Sequence, residues 1–430
     1  MSRRRFNLHV GTGVQNIEVP FEHVSLGQTR TSVPKPLAIE RVLPGVLNNS
    51  LGSVDLAKLN TDSQVVIVCD DYTRPTPTQI ILPELIKFLK QQQVPTENIK
   101  ILVAAGFHRP MTYGEKITKY GQDICNAFDI YHHDALDDDN LSYLGKSTLD
   151  VPVYINRLAV EADFLIGVGL VEIHPWAGFA GGPKIICPGI AGKKTINCTH
   201  ALPVTERGVV IGETRGNPFW ETSLEAARMA GLDMVINVVL DVNEEIVGIY
   251  AGEAEVVQAK CIELFRGFNE LVFDEAADIV ITSANPKYQY WGQAAIAGYN
   301  AAAVVRKGGT RIVLADCPEG FGDSQQEIVF YFDSLRDRWE DLAIYWEEKQ
   351  GTLYDNSRNA CAVHRHLVHL QDSDMIMVSK GFPPSTPVMQ SQQVVKTFDE
   401  AIEMVLERYG EEAKVIVCDM GGMVLCKLRP

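Results

Sequence analysis

The chain is poor in positive charge, has no long apolar run and contains no paired cysteine motif, and each lack excludes something. Its 430 residues hold 39 Lys and Arg against 55 Asp and Glu, a net charge of −16. Such a surface excludes a general nucleic-acid or anionic-membrane partner, although a few sheltered cations can still set the potential of a small anion site. No apolar stretch approaches the roughly 20 residues of a membrane span. The basic start Met1-Ser-Arg-Arg-Arg5 runs into polar and apolar alternation, not into the continuous apolar core of a signal peptide. The nine cysteines are odd in number and include no Cys-x-x-Cys pair; several sit inside apolar runs such as Val65–Cys69 and Val415–Cys418, as reduced core thiols do. A cytoplasmic protein is expected.

What is present reads as α/β. The length predicts two domains. Short, β-branched, continuous apolar runs mark buried parallel strands, here at 64–70, 99–105 and 163–170, then 278–283, 309–315, 374–379 and 414–418. Helical stretches are expected at 80–92, 114–120, 253–268, 293–305 and 398–407, with an amphipathic helix at 333–349 and an opening hairpin over 6–19; residues 27–60 read as irregular, with at most a helical turn before Pro44. The predicted architecture is two α/β domains with mainly parallel sheets and an active-site cleft between them. The first is placed at residues 1–272 and the second at 273–430, with the last strand either finishing the second sheet or crossing back.

Polar residues cluster where the first three strands end, the place where such sheets bind ligands. Asp71-Tyr-Thr-Arg74 sets a guanidinium, suited to fork onto a carboxylate or phosphate, beside a carboxylate that can orient it; the same residues also read as a helix N-cap with an exposed arginine. Gly106-Phe-His108-Arg109 places an imidazole, a potential base, after the second strand. After the third comes a glycine-rich stretch, Gly167 to His200, carrying His174, Lys184, Lys193, Lys194 and His200. Two phosphate-loop tests fail there: Gly189-Ile-Ala-Gly-Lys-Lys-Thr195 has the wrong spacing for a Walker loop, and Gly167-Val-Gly-Leu-Val-Glu172 lacks the third glycine of a dinucleotide fingerprint. His132 and His133 lie in an acidic segment and read as solvated. His364, His366 and His369 lack carboxylates or cysteines at metal-ligand spacing.

Taken in order, Asp71-x-x-Arg74, Gly106-Phe-His108-Arg-Pro, Glu172-Ile-His174-Pro and Gly178-Phe-Ala-Gly-Gly-Pro-Lys184-Ile-Ile-Cys-Pro-Gly189, closed by His200, resemble the nickel-dependent lactate racemase family over nearly the whole chain. The resemblance implies an isomerase that inverts C2 of a 2-hydroxy acid by hydride transfer to a nickel pincer nucleotide (a pyridinium-3,5-bisthiocarboxylic acid mononucleotide). It implies Lys184 as covalent tether, His200 as nickel ligand, His108 and His174 as an acid/base pair, Arg74 on the substrate carboxylate and Asp71 as orienting group, with Gly178 to Gly182 leaving room for the cofactor. Cofactor-biosynthesis enzymes are implied partners. The second domain departs from the family pattern. Gly292-Gln293 stands for its Tyr-Gln pair, Ile296 for a carboxylate-binding Lys, and no tryptophan near Asp355–Asn359 matches its later Trp. Smaller residues there, with Tyr288, Gln289, Tyr290, Gln293 and Arg358 as polar contacts, predict a substrate larger than lactate, such as an aldonate. The competing readings are a carrier of the cofactor or of an organic anion, and a 2-hydroxy acid dehydrogenase.

Overall fold

The computed structural model describes residues 4–27, 29–321, 361, 368, 372–382 and 392–429. Arg358, His364, His366, His369 and the helix expected at 333–349 lie outside them. The chain forms two compact units, Val33–Phe265 and a second made of Met1–Ser32 with Arg266–Pro430. This differs from a continuous division at 272. The opening hairpin, Arg4–Val10 with Gly13–Val19, buries Leu8, Ile17 and Val19 in one cluster with Ile279, Ile312 and Val415, so it belongs to the second unit.

In the Val33–Phe265 unit a six-stranded sheet runs in the order Ile246–Gly252, Leu232–Leu240, Phe164–Leu170, Val65–Asp70, Ile99–Ala104, Ile130–His132; only the first pair is antiparallel. Alternation explains why the central strands read as unbroken apolar runs. Val65, Ile67 and Cys69 face one layer, with helices Ile39–Asn48 and Thr78–Gln91, while Val66 and Val68 face another containing Ile185, Ile186, Ile190 and Ile196. Each such buried side chain contributes roughly 1.5–3 kcal/mol. The helix Ile39–Asn48 corrects the irregular reading of 27–60. Ile39, Leu43 and Leu47, four apart, bury one face of it and hold it across Pro44.

The second unit has its own six-stranded sheet, all parallel, in the order Gln392–Val395, Ser373–Val378, Val305–Leu314, Ala277–Ser283, Lys414–Cys418, His23–Leu26. The Lys414–Cys418 strand therefore finishes this sheet and does not cross back. Among the described residues no helix is long and apolar enough to cross a membrane, and the nine thiols are unbridged.

Candidate active site

In the Val33–Phe265 sheet the chain builds outward from Val65–Asp70 through Ile99–Ala104 to Ile130–His132, then returns to add Phe164–Leu170 on the other side. A crevice opens beyond the carboxyl ends at such a reversal. Asp71, Arg74, His108, Glu172 and His174 all follow these strand ends; Asp71 meets His108 and Arg74 faces Glu172.

Asp71 is buried. Its Oδ2 lies 2.7 Å from His108 Nδ1, and its Oδ1 accepts from the backbone N–H and hydroxyl of Thr73 at 3.0 and 2.6 Å. Burial pushes this carboxyl up, but the His108 hydrogen bond and charge and the Thr73 donors outweigh it, and the net shift is downward. An ionised Asp71 can only accept, so Nδ1 of His108 carries a proton, and in the neutral ring the lone pair is on Nε2. Asp71 thus accepts from His108 and is not the N-cap of Thr78–Gln91, a place taken by Pro77.

His174 has the opposite arrangement. Its Nδ1 accepts from the backbone N–H groups of Trp176 and Ala177 at 3.2 and 3.1 Å, which leaves the proton of the neutral ring on Nε2. Arg74 Nε stands 3.7 Å from Glu172 Oε1 across the crevice, and its Nη1 donates to the Thr73 carbonyl at 3.1 Å. Arg109 is spoken for: two nitrogens fork onto Glu115 at 2.6 and 2.8 Å, and its guanidinium lies 4.4 Å over the Tyr72 ring.

The glycine-rich stretch is not a loop throughout. It continues into the buried helix Lys193–Thr205, which has no clear polar face for a sequence pattern to reveal. His200 sits in it with Nδ1 2.8 Å from the Ile196 carbonyl, so that Nδ1 of the neutral ring donates and the lone pair is on Nε2, the tautomer in which Nε2 can bind metal. Trp176 and Phe219 meet its ring edge-on at 5.3 and 5.2 Å and also contact His174, so both imidazoles share one aromatic wall. Among the described residues no group of three or more His, Cys, Asp or Glu could hold a metal. A single imidazole fits nickel only if an organic ligand brings the remaining donors, which is the arrangement a lysine-tethered pincer requires. Lys184 lies on the short turn Gly182–Ile185, and helix Pro218–Met229 packs on both that turn and the His200 helix.

Two expectations are corrected. Gly178, Gly181 and Gly182 do not leave room: all have positive φ, and a Cβ at each would fall 2.1 to 2.7 Å from other protein atoms, so they are glycine because the chain turns and packs there. In the same way a Cβ at Gly167 would sit 2.6 Å from Ile185, and the apparent dinucleotide glycine is a seat for the Lys184 turn. His133 is not solvated. It is buried between Ala191 O (2.9 Å from Nε2) and Asn156 Nδ2 (3.2 Å from Nδ1), and burial lowers it to about 4. Lys193 and Lys194 are exposed, with Lys194 5.7 Å from the Tyr154 ring centre. Tyr290 and Gln293 lie in the other unit, where Tyr290 precedes helix Trp291–Asn300.

Sequence reading missed the polar residues that hold the stretch. Asn237 accepts from Gly182 N–H at 2.8 Å, Gln258 donates to Ala180 O at 2.9 Å, and Asn217 donates to Trp176 O at 2.8 Å. A lone asparagine inside the apolar run Val235-Ile-Asn-Val-Val239 was the one available signal.

An α/β unit whose strand ends carry two imidazoles in opposite tautomers, with an arginine on the loop of the first one's carboxylate, has the groups that proton transfer to a small anion requires. Residues 10–212 match the lactate racemase N-terminal domain and residues 272–426 the lactate racemase C-terminal domain. The chain is 32% identical over 388 residues to lactate racemase of Lactiplantibacillus plantarum, covering 89% of each. It is 34% identical over 291 residues to lactate racemase of Thermoanaerobacterium thermosaccharolyticum, covering 66% of this chain and 67% of that one. The structure of the lactate racemase apoprotein from the latter organism superposes with a TM-score of 0.87 at 26% identity, over 99% of this chain and 100% of that chain. The chain belongs to the lactate racemase family, and it is an isomerase.

Proposed function

We propose that the protein inverts C2 of a 2-hydroxy acid, with His108 and His174 as the acid/base pair and a polyhydroxylated acid larger than lactate as substrate. The observation that carries this reading is the opposite proton placement on the two imidazoles, one presenting a lone pair at Nε2 and the other an N–H. Arg74 receives the substrate carboxylate. Loss of the α-hydrogen as a proton is disfavoured beside an ionised carboxylate, so the hydrogen leaves C2 as hydride while a base takes the hydroxyl proton. When bound through Lys184 and His200, a nickel pincer nucleotide would supply the hydride acceptor. The side chains do the rest. His108 Nε2 takes the hydroxyl proton, with Asp71 holding the ring and facing the charge that forms. His174, once protonated to the imidazolium, returns a proton from Nε2 to the oxygen after C2 has been planar and is left neutral, while His108 sheds its extra proton to solvent. For the other enantiomer the two exchange roles, His174 starting as the neutral base with its proton on Nδ1 and His108 as the imidazolium. Tyr290, Gln293 and Arg358 are proposed to contact the distal hydroxyls, with Ile296 in place of a second cation.

Protein carrying the Lys184 adduct, verified by intact mass and nickel content, should invert C2 of a five- or six-carbon polyhydroxy acid without an external acceptor, followed by NMR. Inversion of lactate alone rejects the larger substrate. Acceptor-dependent release of a 2-oxo acid indicates a dehydrogenase, and tight binding without turnover a carrier.

A further inference from the structure

We propose that Lys119 is a positioning residue for the carboxylate-binding arm, its ammonium fixing the segment that carries Asp71 and Arg74. The inference rests on Arg74 as the anchor of the substrate carboxylate. Lys119 lies in the last turn of helix Tyr113–Tyr120, the helix that follows the His108 loop. Its side chain is only 7% exposed. Nζ stands 2.8 Å from Asp70 Oδ1, and donates to the carbonyls of Arg74 at 2.7 Å and Thr76 at 2.9 Å. Two of the ammonium's hydrogens go to these carbonyls, and its charge faces the Asp70 carboxylate. The neighbouring Tyr120 hydroxyl donates to the Asp70 carbonyl at 3.0 Å, and the Thr76 hydroxyl donates to Asp70 Oδ2 at 2.5 Å.

A buried ion pair is a poor device for stability alone, because apolar residues of the same volume usually serve as well. What this one provides is definition of the backbone. Residues 71–77 leave the sheet without a helix or strand of their own, so nothing regular fixes their carbonyls. Lys119 holds two of them, one belonging to Arg74 itself. The Arg74 backbone is thereby tied to the Asp70 strand end, while its guanidinium stays one-third exposed. Asp71 lies on the same segment, but its carboxylate is held by Thr73 and His108 themselves and not by the ammonium. Removing the ammonium frees both carbonyls and leaves a buried Asp70 carboxylate without its counter-charge.

The test is Lys119→Met, which keeps the stem and removes the charge, made alone and together with Arg74→Met in cofactor-loaded protein. The expected result is a rise in KM of about tenfold or more with kcat within about threefold, the signature of lost ground-state binding. The Lys184 adduct mass should be unchanged. In the Arg74→Met background Lys119→Met should add less than about twofold, since the two act through one contact. Effects that multiply, or a fall in kcat at constant KM, would overturn the proposal. Should Lys119→Met not fold, Asp70→Asn removes the counter-charge that holds the ammonium in place, and the same rise and non-additivity are expected. Wild-type protein that inverts no 2-hydroxy acid defeats the functional reading; an active wild type whose KM is untouched by Lys119→Met defeats only this inference.

Discussion

Both units place an imidazole against a carboxylate close to the carboxyl ends of a parallel sheet, and the two pairs are unlike. In the first, His108 Nδ1 meets Asp71 at 2.7 Å, and the Asp71 side chain is 2% exposed. In the second, His9 Nδ1 meets Asp419 at 2.5 Å, but Asp419 is 28% and His9 53% exposed. Water screens the charge of the second pair, so the ion pair itself is worth little, although Asp419 Oδ1 also accepts from the His9 and Met420 backbone N–H groups and the Ser283 hydroxyl. The first is sheltered, its carboxylate has two further donors from Thr73, and its loop is clamped by Lys119. A histidine–carboxylate contact becomes a chemical device through what surrounds it.

The contrast can be broken by substitution. His108→Ala should lower kcat by about 10²- to 10⁴-fold, the usual worth of a positioned acid/base group, whereas His9→Ala should leave it within about twofold. Equal losses in chiral product assays would end the distinction. Acid should weaken the first unit before the second. His133 is held neutral by burial, at about 4 against 6.5 in the unfolded chain. Its unfolded form therefore binds the proton first, and stability present above about pH 6.5 is lost as pH falls toward 4, by on the order of 3 kcal/mol. Among the described residues the second unit's histidines, His9 and His23, are exposed. Hydrogen exchange at pH 7 and pH 4.5 should show peptides of 130–200 deprotected ahead of 277–314, and simultaneous loss would contradict the assignment. The smallest effect tests the variable region. Ile296→Lys restores a cation at a half-buried helical position and should shift the ratio of kcat/KM toward lactate by about tenfold, or 1.4 kcal/mol.

Much of this protein is set by local sequence. The central strands announce themselves because both faces are buried, as at Val65–Asp70, and the motifs around Asp71, His108, His174, Lys184 and His200 lie in the order the family has them. Periodicity failed where burial was all-round or a proline intervened, in helices Lys193–Thr205 and Ile39–Asn48. Tertiary structure alone decided the rest. It gave the amino-terminal hairpin to the second unit, because Leu8 and Ile17 find their apolar partners there. It turned glycines expected to make room into packing seats, and it buried His133. It also chose the proton-bearing nitrogen of each imidazole, since a tautomer is fixed by the partner that folding brings: a carboxylate 37 residues away for His108, and two backbone amides for His174.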